Sequence, residues 1–553
     1  MEGCRSIVFS ESVFHGEDIN SCTQNDNHQA CINCSNYLKD LSTKEFGYKI
    51  KEKHCYKIYF FSRDIDPSID IDAYTYEPHL IGYCVVHEDF FSERSGGRKE
   101  YSRQYVPECV VKIGNPKIRG QKRGTFDCDV IIDSEQFSIK NAFFFTQQNG
   151  LTDCCVHAAI LMVMKNYDKD LTSHKINQIL NERVGTKRNN VSHGLTIEEL
   201  IYSVKAISSA SEKIPKIEPI ILSTGTLSIA SFIESLHRAV ESRLPVILLL
   251  RLPESTDFFA MSGGHAISLV GINTNNNNWC TYAGGYFARQ EEIRHISNWL
   301  LCDYFIVQDD NFGPLYHLPV SFLSNYHEYS SASTKLSLNI PSGSMQIEEG
   351  NKFVLSAVIM VPEKTYDNAK LISNIEKISV KMFIDQIEKF GRSRDFKLNA
   401  DQKKWFDLYF YHIFKYNSYR RSFTTRTILI SKNEYIASCD ENILAQKLGD
   451  LANVEECLKD LLPDYFWLTE ISTPELYLNH FSKAGEIVVS AKNDKSSQLQ
   501  LLLIRLPFFM AFYDTEKGMY HPVTLDEQIK RYHPIVKKKV DTFDQILNEE
   551  RLQ

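Results

Sequence analysis

The chain has 553 residues, with 62 Lys and Arg against 70 Asp and Glu, and a formal net charge of -8. That balance gives no basic footprint, so nucleic acid is not an expected partner. A composition of 43% hydrophobic and 24% charged residues is that of an ordinary globular protein, long enough for several domains and a sizeable core.

Residues 1–45 are polar and predicted to be loosely ordered. The opening MEGCRSIVFSESVF lacks the basic start and long apolar run of a secretion signal. The expected setting is therefore the reducing cytoplasm, where the 14 scattered cysteines remain thiols. Cys22, His28, Cys31 and Cys34 gather soft metal ligands in a short stretch. A single CxxC in a spacing that fits no zinc finger makes them weak metal candidates beside an uncommitted surface segment, so no metal is assigned and no cofactor is expected. Over residues 46–140, CYKIYFF (55–61), LIGYCVVHEDFF (80–91), YVPECVVKI (105–113) and DVIIDSEQFSI (129–139) read as strands separated by Gly, Pro and charge clusters. They predict a β-rich domain.

Residues 141–335 carry the chemistry. GLTIEELIYSVKAI (194–207), with Thr196 and Glu199 in capping-box positions, and SIASFIESLHRAVES (228–242) are predicted helices. LPVILLLRLP (244–253), SGGHAISLVGIN (262–273) and YFIVQDDNFGPLYHLP (304–319) are predicted strands, the last running into a Gly-Pro turn. Residues 340–553 alternate strand and helix and contain no chemical motif, so they form an expected mixed α/β accessory domain. Its helices are 369–390 and 402–414; its strands include 352–362, TRTILI, DYFWLTEI, AGEIVVSA and SQLQLLLIRL. The longest apolar candidate, LQLLLIRLPFFMAF, is broken by Arg505 and Pro507, so no membrane partner is expected.

The organising stretch is TQQNGLTDCCVHAAILMVMKNY (146–167). A polar, turn-prone run leads through Thr152 and Asp153, both good N-caps, to two cysteines and an unbroken apolar run, Ala158 to Met164. Rich in Ala, Leu and Met and apolar all round, that run predicts a buried helix. Cys154 and Cys155 then lie in its first turn, where the helix dipole favours a thiolate. A thiol nucleophile needs a base, a group that orients the base, and donors for the oxyanion. His265, after Ser262-Gly263-Gly264, is the candidate base; Asp309, with Asp310 as alternate, is the candidate orienting carboxylate; Gln148 is the candidate oxyanion donor.

Gln, then Cys on a helix, then His on a strand, then Asp on the next strand resembles the papain-like cysteine peptidase superfamily. Within it, the chain looks most like the domains that cut leader peptides from bacteriocins, and their bacterial relatives. Cys155-Val156-His157-Ala158-Ala159-Ile160-Leu161-Met162 lies on the frame of those domains, Pro245 to Leu250 matches the strand before the His strand, and Asp309 precedes Gly313 by four positions. Val156 departs from the usual small residue, and Asp309-Asp310 replaces the usual Asp-Pro. The frame selects Cys155, whereas the commoner glutamine spacing of six selects Cys154. The resemblance covers residues 141–335 and implies an α+β fold: a central papain-like domain, its helix packed on an antiparallel sheet, between the β-rich and accessory domains. It implies a metal-independent cysteine peptidase acting on a peptide or isopeptide bond of a protein or peptide substrate. The same triad also suits an acyltransferase of transglutaminase type or a deamidase, and a catalytically silent binding scaffold is the remaining alternative.

Overall fold

The computed structural model describes residues 6–15, 48–65, 71–93, 100–112, 126–132, 134–148, 155–165, 168, 170–184, 194–210, 216–250, 265–274, 295–329, 336–340, 343–347, 355–363, 365, 369–392, 423–439, 444–445, 453–472, 485–491, 500–506, 509–514 and 519–524. Among these residues the fold is mixed α+β, with largely antiparallel sheets and nine helices. None of those helices is long and apolar enough to cross a membrane. The metal candidates Cys22, His28, Cys31 and Cys34, the second cysteine candidate Cys154 and the expected helix 402–414 lie outside the described residues.

The chain forms two compact units, residues 1–226, 243–271 and 305–360, and residues 227–242, 272–304 and 361–553. In the first, six strands make one sheet: β1 (Ser6–His15), β2 (Tyr48–Phe61), β3 (Leu80–Glu93), β4 (Glu100–Lys112), β5 (Phe126–Ile132) and β6 (Glu135–Phe145), ordered β1-β2-β3-β4-β6-β5. The segment 129–139, expected as one strand, is instead a hairpin of β5 and β6 in which Ile132 pairs with Glu135. Ser134 takes φ 72°, a left-handed turn without the glycine that would have announced it. At Gly82 a side chain is sterically excluded: a Cβ would lie 2.1 Å from the Val110 carbonyl oxygen of β4.

The second sheet of this unit is ordered β12-β11-β9-β8-β15-β7. Its strands are β7 (Ile217–Ser223), β8 (Val246–Leu250), β9 (His265–Thr274), β11 (Cys302–Asp309), β12 (Gly313–Pro319) and β15 (Leu355–Pro362). β15, expected in the accessory domain, pairs antiparallel with β8, which pairs antiparallel with the His265 strand. A short hairpin, β13 (Leu336–Ile340) with β14 (Gly343–Ile347), precedes β15.

The central helix, Cys155–Met164, is buried at every position from Val156 to Met164. Its side chains share one core with Phe144 and Phe145 of β6, Ile247 of β8, Ala266 of β9 and Val358 and Met360 of β15. Two further helices, Ser173–Val184 and Ile197–Ala210, contribute Ile176, Leu180, Leu200 and Val204 to it. The second of these starts at the expected capping box: Thr196 N–H donates to Glu199 Oε2 at 2.8 Å, and Glu199 N–H to Thr196 Oγ1 at 3.2 Å. The helix Ser173–Val184 is capped by Thr172, whose Oγ1 accepts from Lys175 N–H at 3.1 Å.

In the second unit, β10 (His295–Ser297) pairs parallel with β16 (Phe423–Ser431), which starts an antiparallel run through β17 (Tyr465–Ser472), β18 (Gly485–Ser490), β19 (Leu501–Leu506), β20 (Phe509–Asp514) and β21 (Met519–Thr524). Register aligns Arg426, Glu470, Glu486 and Arg505 across four neighbouring strands, all of them buried. Arg426 also binds Glu241 of the helix Ile229–Glu241 (Nη2 to Oε2, 2.6 Å), and Tyr435 donates to Glu486 at 2.6 Å.

Candidate active site

Three devices bring the site residues together. Gln147 fastens the loop before the central helix onto β4: its N–H donates to the Val106 carbonyl at 2.7 Å and its Oε1 accepts from Val106 N–H at 3.1 Å. The neighbouring Gln148 reaches across to Asn311 (Nε2 to Oδ1, 3.3 Å). Within the core, Ser268 of β9 donates to the Ala159 carbonyl of the central helix at 3.1 Å. Ser268 lies three residues after His265, and Ala159 four after Cys155, so this bond fixes the strand that carries the imidazole against the helix that carries the thiol. Beyond β11, Gly313 at φ 116°, a conformation that favours glycine, turns the chain into β12 just past the Asp309–Asn311 corner that meets His265.

Cys155 is the first residue of its helix, half-buried, and its side chain hydrogen-bonds the His265 ring. On the other side, His265 Nε2 lies 3.0 Å from Asp309 Oδ1. Because Asp309 engages Nε2, Nδ1 is the nitrogen left for the sulfur. Asp309 Oδ1 also accepts the Asn311 backbone N–H at 2.9 Å, which holds the carboxylate in place. Asn311 Nδ2 stands 3.4 Å from His265 Nε2, and Asp310 Oδ1 stands 3.7 Å from it. Cys155, His265, Asp309, Asp310 and Gln148 therefore belong to one cluster, which Asn311 completes. The nearer carboxylate is Asp309. The described cysteines, Cys155 among them, form no disulfide.

Burial pulls the His265 imidazolium down. Its hydrogen bonds to Asp309 and Cys155 and the charges of Asp309 and Asp310 outweigh that pull and raise it to about 10. The ring thus keeps its proton past neutral pH. Burial pushes the Asp310 carboxyl up to about 6; the His265 charge opposes the rise and the Asp309 charge adds to it.

A pH dependence of stability follows from Asp310. An unfolded Asp titrates near 3.9, so between about 4 and about 6 the native state binds the extra proton and stability falls as pH rises. Asp310→Asn is expected to remove about 1–3 kcal/mol of the decline in unfolding free energy between about pH 4 and pH 7. Urea titrations of both proteins at the two pH values measure it; an unchanged decline in the variant would contradict it.

His157, two residues after Cys155, points away from this cluster and bonds Asn177 of the next helix (Nε2 to Oδ1, 3.0 Å), a structural partner. Asn311, like Asp310 an alternative to Asp309 for orienting His265 on the sequence alone, lies between Gln148 Nε2 (3.3 Å from its Oδ1) and His265 Nε2 (3.4 Å from its Nδ2). Its signal in the sequence is its place directly after two acidic residues at the end of a strand.

No protein-family model, curated protein or solved structure matches this chain.

Proposed function

We propose that the protein is a papain-like cysteine hydrolase, a peptidase acting on a peptide or isopeptide bond. One observation carries the proposal: a thiol at the first turn of a buried helix hydrogen-bonds an imidazole whose far nitrogen is held by a carboxylate at 3.0 Å. The resemblance of the segments around Cys155, His265 and Asp309 to leader-processing peptidase domains supports the same chemistry.

In the reaction, the protonated His265 ring beside Cys155 stabilises the sulfur as it attacks the acyl carbonyl. The oxyanion is met by the Cys155 backbone N–H, at a helix end where amides have no partner within the helix, and by the Gln148 side-chain amide. The imidazolium then passes its proton to the leaving amine, and the thioester forms. Water, deprotonated by His265, attacks the thioester and returns the thiol. Asp309 keeps the ring oriented and offsets its charge throughout. A thiol nucleophile of this kind suits a reducing, cytoplasmic setting.

The test is to incubate the protein with a peptide library in the presence of hydroxylamine. Cleavage at a defined bond, an acyl group on Cys155 detected by mass spectrometry and peptide hydroxamates released from it are expected. Glutamine-derived hydroxamate without chain cleavage would move the activity to the deamidase or acyl-transfer class on the same triad. The absence of any acyl-Cys155 species would overturn the proposal.

A further inference from the structure

The catalytic corner contains a carboxylate, Asp310, that the thiol chemistry does not use. Asp310 is 1% exposed, and neither of its carboxylate oxygens finds a hydrogen-bond partner among the described residues apart from its own backbone N–H. A buried carboxylate with no hydrogen-bond donor among these residues but its own N–H, and with the His265 ring 3.7 Å away as its counter-charge, is incompletely compensated. Its Oδ1 faces the same nitrogen, His265 Nε2, that Asp309 engages.

Those three groups have the spacing of a metal site. His265, Asp309 and Asp310 each offer a ligand atom within 4.8 Å of the others. Two ligand atoms each ~2.0–2.2 Å from a tetrahedral zinc ion lie roughly 3.3–3.6 Å apart. The separations from His265 Nε2, 3.0 Å to Asp309 and 3.7 Å to Asp310, bracket that range, so small side-chain shifts would admit an ion. One imidazole and two carboxylates are hard-to-borderline donors that suit a zinc-type divalent cation, with water as fourth ligand.

We propose that His265, Asp309 and Asp310 form a reversible inhibitory site for a zinc-type divalent cation. The ion takes the lone pair of His265 Nε2 while the proton on that nitrogen leaves to solvent. The ring N–H then resides on Nδ1, the nitrogen facing Cys155, and the metal-bound ring can no longer cycle between imidazolium and imidazole as acylation and deacylation require. Metal and catalytic base compete for one ring. Inhibition rests on the thiol-hydrolase reading above; binding does not.

The experiment titrates zinc chloride into the full chain by calorimetry, with wild type, Cys155→Ala and Asp310→Asn in parallel. Wild type and Cys155→Ala are expected to bind alike, and Asp310→Asn roughly tenfold or more weakly. The difference between wild type and Asp310→Asn separates this site from any other, Cys31 and Cys34 included. Cobalt(II) gives a check that holds even if Asp310→Asn fails to fold: the spectra of wild type and Cys155→Ala should match. A sulfur-to-cobalt band lost in Cys155→Ala, or zinc binding indifferent to Asp310→Asn, would overturn the site. Zinc should also slow iodoacetamide labelling of Cys155, and a chelator should restore it. If the site binds zinc but labelling does not respond, the inhibitory role is overturned. If Cys155 is inert with and without zinc, the hydrolase reading fails and the metal site stands.

Discussion

Cys155→Ala is expected to lower kcat by ~10^3-fold or more, with substrate binding little changed. The sulfur is the only atom the substitution removes, and it is the atom that attacks. The helix should survive, because Ala is its best former and Cys155 sits at its half-buried first position. His265→Ala should cost a similar factor, and the double variant little more than either single one, since a thiol and its base act as a unit. Steady-state kinetics on the substrate found by library cleavage checks all three. Additive losses, or a Cys155→Ala enzyme retaining a tenth or so of the activity, would assign the chemistry to another group.

Arg426→Met is expected to destabilise the second unit by about 3–5 kcal/mol. Arg426 is buried and bonds two buried carboxylates, Glu241 at 2.6 Å and Glu470 at 3.1 Å. Methionine fills part of the space but leaves both carboxylates without that guanidinium in a low-dielectric interior. A loss of this size is a large share of the usual stability of a domain, about 5–15 kcal/mol. Denaturant titration measures it. Adding Glu241→Gln and Glu470→Gln to Arg426→Met should recover much of the loss, because the penalty lies in the carboxylates left behind. A loss below about 1 kcal/mol for Arg426→Met would mean that the row contributes little.

The sequence announced the parts of the site whose signal is local. The apolar run after Cys155 specified the helix, Thr196 and Glu199 specified a helix start, and Pro245 to Leu250 specified the strand that pairs with the His265 strand. Signals that depend on tertiary partners were illegible. Nothing in KFVLSAVIMVP says that it pairs with β8, because an apolar strand fits any sheet centre. The β5–β6 turn at Ser134 carries no glycine to mark it. Asp309 and Asp310 are adjacent in sequence, where only the spacing to Gly313 distinguishes them; in the fold they stand 3.0 and 3.7 Å from His265. The charged row of the second unit shows in the sequence only as single Arg and Glu residues inside apolar strands, a pattern that acquires meaning once register aligns them.

Everything proposed about activity depends on a sulfur made reactive by the ring beside it. The direct measurement is the rate of iodoacetamide labelling at neutral pH, resolved by peptide mapping for each cysteine, in wild type and in His265→Ala. Cys155 should label at least ~10-fold faster than the other thiols in the wild-type protein, and that advantage should vanish in His265→Ala. A Cys155 that labels no faster than an ordinary thiol, or whose rate ignores the loss of His265, would contradict the account.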